Sequence, residues 1–122
     1  MIDRELQESA DQFVRALEEN PIVSAFREAK TSMEQDKELS ALRDQHARMS
    51  LQFRSKQFDE SFTQEDISNL RTLFGQVSTH PLNVRFVDAR DEILLLLGDC
   101  NKAMSSLLGF DFAANAAPAA SC

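Results

Sequence analysis

The sequence of 122 residues contains no tryptophan and no tyrosine, and it has only three glycines, three prolines and two cysteines. Hairpins and β-sandwiches need frequent turn residues, so the scarcity of glycine and proline argues against an all-β fold and favours long helices. Two cysteines that lie far apart in the chain do not form a disulfide framework. The longest purely aliphatic run, residues 93–97, is far shorter than the roughly 20 residues that cross a bilayer.

Basic residues are also comparatively few. The sequence has 13 of them and 20 acidic residues, so the formal net charge is −7. An acidic protein of this kind is repelled by phosphate backbones and by anionic membrane surfaces. The N-terminal segment is charged from its third residue, which is not the pattern of a signal peptide. We therefore predict a cytoplasmic protein with no direct nucleic-acid partner and no membrane partner.

Apolar residues recur at helical spacing along most of the chain, and they form five stripes that predict five helices. The fifth stripe predicts a helix of about 27 residues, which would be roughly 40 Å long. The stripes are Leu6/Ala10/Phe13/Leu17, Ile22/Phe26/Ala29/Met33, Leu39/Leu42/His46/Met49/Phe53, Ile67/Leu70/Phe74/Val77 and Leu82/Phe86/Ala89/Ile93/Leu96/Cys100/Met104/Leu107.

The boundaries of these helices have physical causes in the sequence. Pro21 and Pro81 suit the first turn of a helix, where the missing N–H costs nothing. Thr63, with Asp66 three residues later, has the spacing of a capping box. Asp36 is the candidate start of the third helix, although the sequence leaves open whether the second and third helices are separate or form one bent rod.

Two segments sixty residues apart are similar: ENPIVSAFREA at residues 19–29 and THPLNVRFVDA at residues 79–89. Each segment belongs to a predicted unit of a helix, a corner marked by proline and a second helix. Either an internal repeat or the chemistry common to helix starts accounts for the similarity. In both cases we predict an all-α bundle of about five helices in paired helix–proline–helix units. This single domain covers residues 1–112, and residues 113–122 are predicted to be a disordered tail.

The third and fifth predicted helices have more apolar surface than the other helices of a single short chain can cover. The third stripe follows heptad spacing, and the apolar surface of the fifth helix extends beyond one face. A twofold homodimer that buries both helices resolves this excess. The predicted interface residues are Leu39, Leu42, His46, Met49 and Phe53 on the third helix and Phe86, Ile93, Leu97, Cys100 and Met104 on the fifth.

Catalytic motifs are missing from the sequence. His46 has no acidic residue three or four positions away that could orient it, and Ser105 and Ser106 have no glycine-rich elbow. No phosphate-binding loop is present either. We therefore predict that the protein is not an enzyme and that it has no catalytic, cofactor-binding or metal-binding residues. The alternative is an iron–sulfur, metal or redox sensor that uses Cys100 and Cys122 in an oligomer.

The charged residues are unevenly distributed. Residues 42–58 have a local charge of +3, whereas the first nineteen residues have a local charge of −4. These segments could attract each other within a dimer, or the basic one could dock an acidic protein partner. Direct RNA binding by Arg43, Arg48, Arg54 and Lys56 is the weakest interpretation, because no stacking aromatics are interleaved with them. For a protein partner, the predicted docking corner consists of Arg54, Lys56 and Phe58.

Helix-start and apolar residues of the chain form a further pattern, which consists of Pro21, Ile22, Phe26, Ala29, Lys30 and Asp36, and then His80, Pro81, Leu82, Phe86, Ala89, Ile93 to Leu97, Leu108, Gly109 and Phe110. A long third helix rich in glutamine and arginine accompanies them. In these features the chain resembles a known family, the small helical YlbF/YmcA-like regulators of bacteria, over roughly residues 13–112.

The resemblance implies an all-α dimer without enzymatic activity and a link to competence, sporulation and biofilm formation. It also implies that some members adapt a membrane-bound endoribonuclease to its messenger RNA substrates, and that some hold iron–sulfur clusters through cysteines. One copy of this chain has two cysteines, fewer than the four thiolates that such clusters usually need. The expected function is a regulatory adaptor that binds another protein, in RNA processing or in developmental regulation.

Overall fold

The fold consists of six α-helices in a computed structural model that describes residues 2–56 and 61–116. No strand occurs within these two ranges, so the prediction of an all-α fold is confirmed. The five predicted helices are present, and a short sixth one follows them. Their bounds are α1 Arg4–Glu18, α2 Pro21–Gln35, α3 Lys37–Lys56, α4 Gln64–Ser78, α5 Pro81–Leu108 and α6 Phe112–Ala116.

The helices begin where local chemistry places them. The Thr63 hydroxyl accepts a hydrogen bond from the backbone N–H of Asp66 at 3.2 Å, and the Asp66 carboxylate accepts one from the N–H of Thr63 at 3.0 Å. The predicted capping box is therefore confirmed. Proline begins both α2 and α5, and the preceding Asn20 and His80 act as N-caps for these two helices.

Asp36 separates α2 from α3. Its backbone is extended, with φ of −77° and ψ of 119°, which interrupts the helical path between the two helices. Its side-chain Oδ1 accepts a hydrogen bond from the backbone N–H of Leu39 at 2.8 Å, as an N-cap does. The second and third helices are thus separate, and the question that the sequence left open is answered.

The helices are arranged in two antiparallel pairs. In the first pair, α2 packs on α5: the rings of Phe26 and Phe86 lie 5.6 Å apart, and Asp36 at the end of α2 lies beside His80 at the start of α5. In the second pair, α3 packs on α4, with the rings of His46 and Phe74 5.9 Å apart. The second pair is joined to the first at one end, where α2 meets α3 and α4 meets α5.

The two similar segments of the sequence face each other in this arrangement. Phe26 and Phe86 occupy equivalent positions in the two segments, and their rings are in contact. An antiparallel contact between equivalent residues is what a local twofold axis between two repeated units produces. The contact therefore favours an internal repeat over shared helix-start chemistry.

The core of the chain is small. Among the described residues, the buried apolar side chains are Val23, Ala29, Met33 and Leu39. The accessible surface of the chain is 9,633 Å², whereas a compact monomer of this mass exposes about 6,600 Å². The eleven residues outside the described ranges are too few to produce this difference. A single layer of paired helices explains it, because each pair leaves a broad face uncovered.

The C-terminal part differs from the prediction of a tail beginning at residue 113. α5 ends at Gly109, whose φ of 82° provides the left-handed cap that favours glycine. The chain then turns back onto α5, where Asn101 Oδ1 accepts the N–H of Ala113 at 2.9 Å and Ser105 Oγ accepts the N–H of Phe112 at 2.8 Å. These bonds place residues 113–116 in α6, and the rest of the predicted tail lies outside the described residues.

Candidate interaction surfaces

The interface residues predicted on α3 have different environments. Leu39 is 0% exposed, so it belongs to the core of a single chain and has no surface left for a second copy. His46 and Phe53 lie against the rings of Phe74 and Phe62, respectively, in the antiparallel pair with α4. The remaining two members, Leu42 and Met49, are half-buried.

The interface residues predicted on α5 are spread along its whole length. Phe86 packs on Phe26 of α2, whereas Ile93, Cys100 and Met104 are half-buried and Leu97 is exposed. α3 packs on α4 and α5 packs on α2, and α3 and α5 form no substantial contact with each other. The predicted residues therefore lie on two separate surfaces of one chain.

The distal half of α5 presents an open leucine face. Leu94 is 58% exposed, Leu97 is 42% exposed and Leu108 is 51% exposed, and at about 100° per residue these three side chains lie on one side of the helix. Exposed apolar side chains on one side of a helix mark an interaction site in soluble proteins. The leucine face consists of Leu94, Leu97 and Leu108, whereas the exposed Leu95 and Leu107 lie on other sides of α5.

A second apolar surface is a groove between α1 and the distal end of α5 with α6. Its volume is about 460 Å³, and it has almost no polar lining. The sequence analysis identified the apolar stripe of α1 but not that it stays open, because periodicity shows which residues share a face and not what covers them. The groove is lined by Ile2, Leu6, Ser9, Ala10, Phe13, Met104 and Phe112.

A third surface is a shallow groove between α3 and α4, at the opposite end of the molecule. Its volume is about 380 Å³, and Met49 and Leu73 form its floor between longer polar side chains. Arg48 borders the groove and is exposed. This groove therefore combines an apolar strip with positive charge.

A polar cluster lies where the two helix pairs meet. Asp36, Glu38 and His80 have side-chain ligand atoms within 4.8 Å of one another, and His80 Nε2 is 3.9 Å from Asp36 Oδ1. The sequence analysis assigned Asp36 and His80 to helix starts but did not place them together. Contact between residues 44 positions apart leaves no local signal in a sequence.

The hydrogen bonds of this cluster oppose metal binding. His80 Nδ1 accepts the backbone N–H of Leu82 at 3.2 Å, so the proton of the neutral ring is on Nε2, which faces Asp36. A metal at Nε2 would require that proton to move to Nδ1, and the bond from Leu82 would be lost. We therefore interpret the cluster as a structural clamp between the two helix junctions.

Replacement of Asp36 by alanine tests this interpretation. Asp36→Ala removes the N-cap of α3 and the partner of His80, so the free energy of unfolding is expected to fall by about 0.5–2 kcal/mol. Asp36→Asn is the matched control, because an amide oxygen still caps α3 but has no charge. Urea unfolding followed by circular dichroism measures both variants. An asparagine variant as unstable as the alanine variant would show that the charge, and not the cap, stabilises the junction.

The predicted docking corner lies at the tip of the α3–α4 pair. Arg54 and Lys56 are exposed in the last turn of α3, and Phe58 lies outside the described residues. Neither cation forms an ion pair within the described part of the chain. The corner therefore presents two exposed cations on a chain that is acidic as a whole.

The cysteines do not form a ligand cluster in the described ranges. Cys100 is half-buried on α5, and Cys122 lies outside those ranges. The only group of three potential metal ligands found among residues 2–56 and 61–116 is the clamp, which contains no cysteine. None of the described helices has both the length and the apolar character needed to cross a membrane.

The paired helices, the small core and the open apolar faces define a small all-α protein of one layer. A family model described as control of the competence regulator ComK, YlbF/YmcA, matches residues 6–108. The chain therefore belongs to the YlbF/YmcA family, and the resemblance seen in the sequence is confirmed. No curated protein and no solved structure matches the chain.

Proposed function

We propose that this protein is a non-enzymatic regulatory adaptor that forms a homodimer and binds another protein. The observation that supports this proposal is the open apolar surface of a one-layer helical chain. The family description names the control of a regulator and no reaction. The process that the adaptor regulates in this proposal is the one named in the family description, the control of the competence regulator ComK.

The size of the exposed surface supports the homodimer. The surface exceeds that of a compact monomer by about 3,000 Å², and a standard interface buries about 800 Å² on each partner. The leucine face and the α1 groove provide the apolar part of such an interface. A second copy of the chain also supplies the missing layer that turns helix pairs into four-helix arrangements.

The character of the grooves supports a role without catalysis. The two apolar grooves are open and shallow, and neither is lined by a histidine, a cysteine or a carboxylate. An active site normally brings such groups together in a concave pocket. Binding surfaces, in contrast, need only apolar area with a polar rim.

The docking corner is the proposed contact with the partner. Arg54 and Lys56 lie beside the Phe53–Phe62 contact that closes the α3–α4 pair, and the segment with Phe58 follows directly. Arginine and aromatic side chains are the types that contribute most to protein interfaces. Exposed cations at this position suit a partner with an acidic surface.

A double substitution at the corner tests the docking proposal. Phe58→Ala combined with Arg54→Glu removes the ring and reverses one charge, so capture of the partner should fall at least about tenfold. The partner is first identified by affinity capture from the native host and mass spectrometry. Its affinity for purified variants is then measured by calorimetry.

The matched control is Arg71→Glu, which reverses an exposed arginine on α4. This variant should bind the partner as the unmodified protein does. Melting temperature and dimer mass should stay unchanged in all variants, because the corner is placed outside the core and the dimer contact. Undiminished binding by the double variant would refute the corner as the docking site.

A further inference from the structure

We infer that the two copies of the proposed homodimer lie antiparallel, with the acidic helix α1 of each copy against the basic helix α3 of the other. This inference rests on the proposed homodimer and adds its orientation. The orientation follows from the places of α1 and α3, from charges that form no ion pair among the described residues, and from the open grooves beside them.

The helices α1 and α3 lie at opposite ends of α5. α1 shares a groove with Met104 and Phe112 at the C-terminal end of α5. α3 begins at Asp36, which lies beside His80 at the N-terminal end of α5. Because α5 has 28 residues, these ends are about 40 Å apart. Within one chain, α1 and α3 accordingly form no substantial contact.

The basic residues of α3 outnumber its acidic ones. α3 contains five basic residues and two acidic ones. Arg54 and Lys56 belong to the docking corner. Arg48 forms no ion pair among the described residues, and Arg43 contacts only the sulfur of Met33 there, at 3.6 Å. Exposed cations of this kind attract a surface of opposite charge.

The acidic residues of α1 provide the opposite surface. Residues 3–19 contain six acidic and two basic side chains. Glu8 and Glu18 form ion pairs with Arg4 and Arg27, respectively. Glu5, Asp11 and Glu19 are exposed and form no ion pair among the described residues. The acidic α1 and the basic α3 thus have complementary charges.

A parallel dimer would place like charges together. Its twofold axis would set α1 against α1 and α3 against α3, and juxtaposed like charges cost several kcal/mol in an interface. In an antiparallel dimer, each acidic helix meets a basic one, and the apolar α1 groove of one copy faces the apolar groove of Arg48, Met49 and Leu73 in the other. Both charge and apolar area therefore favour the antiparallel arrangement.

Charge reversal tests the orientation. The α1 variant is Glu5→Lys with Asp11→Lys, and the α3 variant is Arg43→Glu with Arg48→Glu; Arg54 and Lys56 stay unchanged because they belong to the docking corner. Each variant should raise the dimer dissociation constant at least about tenfold. The chain with all four substitutions should return to within about threefold of the unmodified protein. Analytical ultracentrifugation measures the constants, and circular dichroism verifies that each variant is helical.

Neutral variants provide a second measurement in case a reversed variant does not fold. Glu5→Gln with Asp11→Asn should weaken an antiparallel dimer and strengthen a parallel one, so the sign of the change decides the orientation. Added salt should likewise weaken the antiparallel dimer of the unmodified protein. A dimer that the α1 reversal leaves unchanged, or that neutralisation tightens, overturns the antiparallel orientation alone. A monomer at micromolar concentration overturns the proposed homodimer as well.

Discussion

Truncation of Leu39 to alanine should destabilise the fold of each chain rather than weaken the contact between copies. Leu39 is the largest completely buried side chain of the described residues, at the start of α3 where α2 and α3 meet. Removal of a buried leucine side chain costs about 2–5 kcal/mol, because apolar contacts are lost and a cavity remains. Small domains have only about 5–15 kcal/mol of stability, so the loss is a large part of the total.

Urea unfolding followed by circular dichroism measures this effect. Leu51→Ala is the matched control, because Leu51 is on the same helix but is 63% exposed. The control should change the free energy of unfolding by no more than about 0.5 kcal/mol. If Leu39→Ala instead gave a folded helical monomer, Leu39 would act between copies, as the heptad pattern of the sequence suggested.

Replacement of Leu97 by aspartate should have the opposite effect to that of Leu39→Ala. The dimer should dissociate while each chain stays folded. Leu97 is 42% exposed in the single chain and belongs to the leucine face of α5. Burial of a leucine side chain is worth about 1.5–3 kcal/mol, and both copies lose it in a twofold dimer. The dissociation constant of the dimer should therefore rise at least about a hundredfold.

Light scattering at several protein concentrations measures the mass of the Leu97 variant. Lys102→Asp is the matched control, since it introduces the same carboxylate on another face of α5, where the side chain is exposed and polar. The control should keep the dimer mass and the helix content of the unmodified protein. A dimeric Leu97→Asp variant would remove this part of the leucine face from the interface.

The helix bounds were largely predictable from the sequence. Pro21, Pro81 and the Thr63–Asp66 capping box all lie at helix starts in the structure, where the sequence analysis placed them. Each of these signals acts within four residues of its own position, because a helix satisfies its backbone hydrogen bonds locally. The family was also recognisable from helix-start and apolar residues of the sequence, and the family model matches residues 6–108.

The candidate surfaces were only partly predictable. The exposed leucines of α5 agree with the expectation that its apolar surface is too wide for its neighbours. The heptad spacing of α3, however, gave Leu39 and Met49 the same interpretation, although Leu39 is buried in the chain and Met49 lines an open groove. Spacing shows that two residues share a helix face, and it does not show which part of that face a partner covers.

Local sequence was sufficient for the class of fold, the five main helices and the corners between them, because proline, N-caps and apolar periodicity act over one or two turns. The pairing of the helices, the clamp of Asp36 and His80, the return of α6 onto α5 and the separation of α1 from α3 required the three-dimensional structure. The physical reason is the range of the interactions. Contacts between different helices, such as that of Asp36 with His80 44 residues away, depend on how whole helices pack, and no short stretch of sequence contains that information.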